Sequence, residues 1–171
     1  GFCAAVMDTN RGSWQRPDIV STLITRTDMT VVDLGAGTGY FADLFSPQLP
    51  EGKIIALDPE SSLTTWMEER KKRDSLDNVY IHQITEDDPG LDQLSDEIDL
   101  LFVGYTYFHF SDPVTYFRDK VYPYIQDKTV VAIADIAPVQ GQARHTVSAQ
   151  QVIIEMTEAG FELMTEPTTV Y

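Results

Sequence analysis

An acidic residue and three glycines stand close together in the stretch VVDLGAGTGYF at residues 31–41. The acid is Asp33, and the glycines follow it at alternate positions, at Gly35, Gly37 and Gly39. Glycine permits backbone dihedrals and close approaches that a Cβ atom would block. The spacing therefore predicts a strand that ends at Leu34, a tight turn, and a helix that begins near Tyr40. Such a turn brings bare backbone against a bound ligand.

A second acidic residue ends the next apolar run, KIIALD at residues 53–58. Asp58 follows the glycines by roughly 20 residues, where an acid accepts hydrogen bonds from ribose hydroxyls in nucleotide-binding α/β folds. The helix predicted near Tyr40 would direct its first amides at a phosphate or a carboxylate of the ligand. The dinucleotide fingerprint G-x-G-x-x-G would need glycine at the position of Tyr40, so the spacing counts against NAD.

The elements that must position these residues follow from the alternation of short apolar runs with segments of helical periodicity. This alternation predicts βαβ units, and the apolar runs at 98–103 and 129–134 predict parallel strands covered on both faces. The predicted fold class is α/β, a Rossmann-like, doubly wound, mostly parallel sheet with helices on both faces. Residues 1–171 form one predicted domain, in which 1–28 is an N-terminal helical cap.

Composition and charge exclude several classes of partner. The chain has 27 acidic and 12 basic residues and a net charge of −15, which disfavours nucleic acid and anionic lipid. Its one basic cluster, EERKKRD at 68–74, is interpreted as a solvated helix face. No apolar run reaches the roughly 20 residues that cross a bilayer. With a single cysteine, a cytoplasmic location is predicted, and processing of the N-terminus stays open. Cys3 is the single cysteine, which rules out an intrachain disulfide.

Taken together, these motifs resemble the class I S-adenosylmethionine-dependent methyltransferases, in their small-molecule branch. VVDLGAGTGYF is similar to their first motif, ALDPES to the second, TEDDPGL to the adenine-side loop, and IDLLFVGYTYFHF to the fourth-strand motif. The leading RGSWQRPD is similar to an R-x-x-W-Q-x-P segment of one subgroup. The resemblance covers nearly the whole chain and implies methyl transfer from S-adenosylmethionine to a small-molecule acceptor.

The resemblance also implies roles for the matching residues. Asp33 would orient the ammonium group of the cofactor, the backbone of the first two glycines would lie along its methionine part, and Asp58 would hold the ribose. Asp87 would accept from the adenine amino group, and Asp88 is the alternative. The other positions predicted at the cofactor are Ala36, Gly39, Pro59 and Gly104.

Removal of a proton from the acceptor is predicted near the carboxyl ends of strands four and five. The candidates there are His109, Asp135 and His145. Asp112 is discounted, because Pro113 follows it and this pair is typical of a helix N-cap and first position. Aromatic residues predict a pocket for an apolar or aromatic small acceptor, at Trp14, Tyr105 and Tyr107. No metal site is predicted, because Phe108 replaces the first histidine of the subgroup's Tyr-His-His sequence.

Two alternatives of other classes stay open, a non-catalytic S-adenosylmethionine-binding module and, less favoured, an NAD-dependent oxidoreductase. The sheet order of the family is 3-2-1-4-5-7-6, with an antiparallel seventh strand. This order implies a sixth strand at Phe161–Thr165, after which Pro167 and the short remaining sequence leave the seventh strand absent or truncated. Strand five would then expose an edge unless another element or a second subunit covers it, so a homodimer also stays open.

Overall fold

Five parallel strands form the sheet of the computed structural model, which describes residues 18–136 and 146–165. The strands lie in the order β3-β2-β1-β4-β5 and pair in parallel throughout. Their bounds are β1 Thr30–Leu34, β2 Lys53–Asp58, β3 Val79–Gln83, β4 Leu100–Gly104 and β5 Val130–Ala134. The prediction of a Rossmann-like α/β sheet is confirmed.

Within the residues that the structure describes, five α-helices connect or flank these strands. They are α1 Asp18–Leu23, α2 Tyr40–Phe45, α3 Ser61–Asp74, α4 Pro113–Tyr116 and α5 Ala149–Glu158. Shorter 3-10 turns occur at Ser46–Gln48, Leu91–Gln93, Tyr107–His109 and Tyr122–Tyr124, and a π-helical segment at Phe117–Val121. Asp112 caps α4 as predicted, since its side chain accepts from the Thr115 N–H at 3.1 Å. No helix of the described residues is long and apolar enough to cross a membrane.

The apolar side chains form two clusters, one on each face of the sheet. Successive residues of a strand point to opposite faces, so Val31 belongs to one cluster and Val32 to the other. The cluster of Val31 includes residues of α1, α2 and α3, among them Phe41 and Met67. The cluster of Val32 includes residues of α4 and α5, among them Met156. The central strands are thus covered on both sides, as their nearly apolar sequences require.

The outer part of the sheet differs from the sequence prediction in one strand. The apolar run at 129–134 predicted a strand covered on both faces, but all five residues of β5 are half-buried. Among the described residues β5 pairs only with β4 and therefore lies at the edge of the sheet. An edge strand with this sequence is less protected than a central one.

The predicted sixth strand at Phe161–Thr165 is wrong, because these residues form no strand. The chain leaves α5 through Gly160, whose φ is 98°, and the Phe161 N–H donates to the Met156 carbonyl at 2.9 Å. The Phe161 ring then packs edge-on against Tyr122, with centroids 5.3 Å apart. The Phe161 side chain thus contacts the helical layer. The sequence where the seventh strand was considered lies outside the described residues, as does most of the predicted N-terminal cap.

Candidate functional site

The glycine turn after β1 has the conformation that its sequence predicts. Gly35, Gly37 and Gly39 have φ angles of 77°, 61° and 81°, in the left-handed region. The N–H groups of Gly35 and Ala36 both donate to the Leu57 carbonyl, at 2.8 and 3.0 Å. The turn is therefore tied to the end of β2, which carries the second predicted acid.

Two buried carboxylates flank this turn. Asp33, inside β1, is 1% exposed, and Asp58, the last residue of β2, is 5% exposed. Asp58 Oδ2 accepts from the Gly37 N–H at 2.7 Å, and its Oδ1 accepts from the Glu60 N–H at 2.9 Å. These two bonds fix the orientation of the Asp58 carboxylate against the turn. Buried carboxylates beside bare backbone can accept from hydroxyl or ammonium groups of a closely held ligand.

The loop after β3 contains the two acids that the sequence left as alternatives. Asp88 accepts from the Gly90 N–H at 2.9 Å and from Lys120 Nζ at 2.8 Å. The Lys120 ammonium, followed by the Gly90 N–H, holds the pKa of Asp88 below its usual range. Asp87 is exposed. Asp88 thus fastens its loop to the π-helical segment, while the neighbouring Asp87 faces solvent.

The end of β4 lies directly against the glycine turn. Tyr105 has a φ of 55°, which is uncommon for a residue other than glycine, and its N–H donates to the Ala134 carbonyl at 2.7 Å. The Thr106 hydroxyl lies 3.1 Å from the carbonyl oxygen of Gly35. A Cβ atom on Gly35 would lie 2.3 Å from the Thr106 side chain. The first glycine is therefore required by this contact as well as by its φ angle.

Asp135 and His109 come together at the carboxyl ends of β4 and β5. Asp135 follows β5 and accepts from the Ile136 N–H at 2.7 Å and from the Phe108 N–H at 3.3 Å. Burial raises the pKa of Asp135, although these N–H groups and the charge of His109 favour its ionised form. His109 is exposed, and its ring lies 4.1 Å from that of Phe108, centroid to centroid. Such a pair can take up and release a proton next to a bound molecule.

The sequence family described as a methyltransferase domain matches residues 25–168. The chain belongs to this methyltransferase domain family. S-adenosylmethionine is the cofactor that this membership indicates, and the residues at the turn fit it. The two buried carboxylates suit its ammonium and ribose groups, and the glycines of the turn, which have no side chains, leave the backbone accessible for close contact.

Three solved structures share the fold of this methyltransferase at low sequence identity. A SAM-dependent methyltransferase from Aquifex aeolicus has 20% identity and a TM-score of 0.79, over 91% of this chain and 85% of that one. The YcgJ protein from Bacillus subtilis has 20% identity and a TM-score of 0.65, over 82% and 65%. The [4+2]-cyclase SpnF has 15% identity and a TM-score of 0.71, over 87% and 57%. No curated protein matches the chain.

These likenesses establish the fold and leave the acceptor of the methyltransferase undefined. One of the three structures is named for a cyclisation, so the fold by itself does not fix a reaction. The assignment of further roles depends on the residues of this chain. Among the residues that the structure describes, no group of three or more His, Cys, Asp and Glu side chains is arranged to hold a metal ion.

One residue predicted to line the acceptor pocket of the methyltransferase lies elsewhere. Tyr107 is 2% exposed and belongs to the hydrophobic core, where its hydroxyl donates to Glu155 Oε2 at 2.9 Å. Burial, reinforced by Glu155, raises the pKa of Tyr107. The prediction for Tyr107 is therefore wrong, because its ring fills the layer between β4 and α5. Trp14 and His145 lie outside the described residues.

Sequence reasoning missed Thr106, which links the acceptor side of the site to the glycine turn. Thr106 and Gly35 are separated by 71 positions in the chain. No local pattern marks such a contact. The sequence contains only an indirect indication of this contact. Three glycines in one turn indicate that other residues pack closely against the backbone, in the space that a side chain would occupy.

Proposed function

We propose that this methyltransferase transfers the methyl group of S-adenosylmethionine to a small-molecule acceptor held over the carboxyl ends of β4 and β5. The observation that carries the proposal is the buried Asp58 carboxylate, 2.7 Å from the Gly37 N–H of the glycine turn. A carboxylate fixed in this way can accept from a ligand without a further loss of side-chain freedom. Ribose hydroxyls are donors of the matching kind.

The remaining cofactor contacts are proposed from the same edge of the sheet. Asp33 would orient the ammonium group, and Gly35, Ala36, Gly37 and Gly39 would supply bare backbone. Asp87 would accept from the adenine amino group, since Asp88 is engaged by Lys120 and Gly90. Pro59 and Gly104 would complete the walls, with Pro59 at a position where the family usually has a bulkier apolar residue.

For methyl transfer the protein must mainly align the two substrates and exclude water from the pocket. S-adenosylmethionine supplies an activated methyl group, which leaves from sulfur as the acceptor's nucleophilic atom bonds to its carbon. Tyr105 is half-buried, and its ring is stacked on Phe41 with centroids 5.9 Å apart. This aromatic surface at the end of β4 supports an apolar or aromatic acceptor.

We assign proton removal from a hydroxyl acceptor to His109. Histidine changes charge near neutral pH, which suits a general base. Asp135 would stabilise the protonated imidazole through its negative charge and hold the Tyr107–His109 turn through the Phe108 N–H. His145 stays a second candidate from the sequence.

The oxidoreductase alternative fits the described residues less well. Tyr116 and Lys120 have the Tyr-x-x-x-Lys spacing of some NAD-dependent oxidoreductases. Tyr116 is buried, however, and burial, followed by the charges of Asp88 and Asp87, raises its pKa. Lys120 is paired with Asp88 at 2.8 Å. A non-catalytic binding module would use the same cofactor residues, so only the detection of methyl transfer separates it from an enzyme.

Calorimetric titration with S-adenosylmethionine, S-adenosylhomocysteine and NAD tests the cofactor. We expect the first two to bind and NAD not to bind. Asp58→Ala should weaken S-adenosylhomocysteine binding by about 1 to 3 kcal/mol, because a charged acceptor is lost. Asp119→Ala is the matched control, since this exposed carboxylate pairs with Arg118 and should leave binding unchanged. Tighter binding of NAD would refute the proposal.

Turnover against a panel of hydroxyl-bearing aromatic acceptors tests the base. We expect His109→Ala to lower kcat by about 100-fold or more while leaving S-adenosylhomocysteine affinity unchanged, as removal of a general base should. His82→Ala provides a histidine control, because His82 is exposed on β3 at the other side of the sheet. Wild-type turnover in the His109 variant would remove this residue from the mechanism.

A further inference from the structure

A charge cluster lies on the helical side of the glycine turn, away from the carboxylates that face the proposed ligand. Arg70 of α3 forms an ion pair with Asp43 of α2, and its Nε lies 3.8 Å from Asp74 Oδ2. The Arg70 side chain is 16% exposed, which is low for an arginine on a helix rich in charged residues. A guanidinium removed from water to this extent needs acceptors, and the Asp43 carboxylate is one of them.

One of these acceptors belongs to the glycine turn. Arg70 Nη1 donates to the Thr38 carbonyl at 3.4 Å, and Thr38 is completely buried. The helix also contacts the next residue of the turn, because a Cβ atom on Gly39 would lie 3.1 Å from Met67 Cγ. Residues one turn apart on α3 thus contact two consecutive residues of the turn, one through a charge and one through an apolar side chain.

The middle of the turn is consequently held by two charged groups of opposite sign. The Asp58 carboxylate accepts from the Gly37 N–H, and the Arg70 guanidinium donates to the Thr38 carbonyl. Glycine at residues 37 and 39 gives this segment wide conformational freedom in the absence of such contacts. The Gly39 N–H donates to the Ala36 carbonyl at 2.9 Å, so the Thr38–Gly39 peptide contacted by Arg70 is joined to the Ala36–Gly37 peptide contacted by Asp58. Loss of Arg70 would remove one of the contacts that hold these two peptides.

We propose that Arg70 is a positioning residue for the cofactor. Together with the bond from the Gly39 N–H to the Ala36 carbonyl, it holds the Thr38–Gly39 peptide. It so keeps the Gly37 N–H on Asp58, which in turn keeps the Asp58 carboxylate directed at the ribose. Asp43 orients Arg70 for this contact. The inference rests on the proposed role of Asp58 and extends the cofactor site to a residue that makes no contact with the cofactor.

Arginine is suited to this role because its planar group donates in several directions at once. Lysine at residue 70 could keep the pair with Asp43, but one ammonium group could not reproduce the fork that also reaches the Thr38 carbonyl. Arg70→Lys should therefore restore part of the function that Arg70→Met removes. If Arg70 contributed only apolar packing, Arg70→Lys would not retain more function than Arg70→Met.

Calorimetry with S-adenosylhomocysteine on the full chain tests the inference. We expect Arg70→Met to raise the Kd about 5- to 10-fold, in keeping with one long charge-assisted hydrogen bond, and Arg70→Lys to give an intermediate value. Arg73→Met is the matched control, since Arg73 is 63% exposed and pairs with Asp74 at 2.7 Å. Hydrogen exchange of the segment 35–39 should be faster in Arg70→Met than in the control.

A merely structural role for Arg70 would lower Tm without changing the Kd of the folded protein. Wild-type affinity in Arg70→Met, measured well below its Tm, would therefore overturn the inference. If Arg70→Met does not fold, Asp43→Asn takes its place, and its Kd should rise about 2- to 3-fold. Unchanged affinity in Asp43→Asn would also overturn the inference. Absence of S-adenosylhomocysteine binding in the wild type would refute the proposed function and this inference with it.

Discussion

Single carboxylates accept hydrogen bonds from backbone N–H groups at several points of this fold. The contribution of each carboxylate to stability can be tested by removing its charge. Asp99, just before β4, accepts from the Thr30 N–H at 2.9 Å and from Arg26 Nη2 at 3.0 Å. Burial raises the pKa of Asp99, but the Thr30 N–H and the Arg26 guanidinium outweigh it and leave the pKa below its usual range. The residue ties the first strand of the sheet to the fourth.

We expect Asp99→Asn to lower the free energy of unfolding by about 1 kcal/mol at pH 7, because charge-assisted hydrogen bonds are weakened. A carboxyl whose pKa is lowered by folding stabilises the protein above its unfolded-state pKa, and this stabilisation is lost as the pH falls through the folded-state pKa. The difference between variant and wild type should therefore shrink below about pH 4. Urea unfolding at pH 7 and pH 3 measures it.

Asp28→Asn is the control for this experiment, because Asp28 pairs with the same arginine at 2.9 Å but is 60% exposed, against 17% for Asp99. An exposed ion pair contributes little to stability. Equal destabilisation by the two variants at pH 7 would show that the Thr30 contact is unimportant.

At the scale of elements, the sequence predicted those whose signals are local. The run TVVDL became β1, KIIALD became β2, and Asp112 caps α4 by accepting from the Thr115 N–H at 3.1 Å. The glycine turn and the two carboxylates at its sides were predictable for the same reason. Each is specified by residue types within a few positions of one another, which local geometry determines.

Elements and residues whose place depends on distant partners were not predictable in this way. Phe161 has a sequence environment suited to a strand, yet it packs on Tyr122, a neighbour across the helical layer. Tyr107 lies in the fourth-strand motif but turns into the core to meet Glu155, 48 positions later. Arg70 belongs to a basic cluster interpreted as solvated, and its carbonyl partner is 32 positions away. Tertiary contacts decided all three placements.

The whole molecule divides into a central part buried on both faces and outer strands with less protection. β1 and β4 are paired on both edges and contribute to both apolar clusters, whereas β5 is half-buried throughout and β3 has exposed residues. Local opening is easiest where backbone hydrogen bonds are least covered by apolar contacts. Most of the proposed cofactor residues lie on β1, at the end of β2 and in the turn between β1 and α2, hence on or next to a strand that is buried on both faces.

This division predicts how ligand binding changes hydrogen exchange across the protein. Amides of β1 and β4 should exchange slowest, through global unfolding, and those of β5 faster, through local opening. S-adenosylhomocysteine at 100 times its Kd should raise the free energy of global unfolding by about 2.7 kcal/mol and slow the exchange of β1 and β4 accordingly. The segment 35–39 should gain protection directly. Exchange in β5 should change little, because its local opening does not release the ligand.

Hydrogen exchange followed by mass spectrometry, with NAD as the control ligand, distinguishes this pattern from a uniform one. Equal slowing of amide exchange in β5 and β1 would mean that β5 opens only together with the strands next to the cofactor. The prediction that β5 opens locally, without release of the ligand, would then be wrong. Slow exchange confined to β5 would contradict the assignment of β1 and β4 as the stable centre. Protection of β1 and the turn without β5 would show that cofactor binding leaves the acceptor edge free to move, which suits an edge that must admit and release a second substrate.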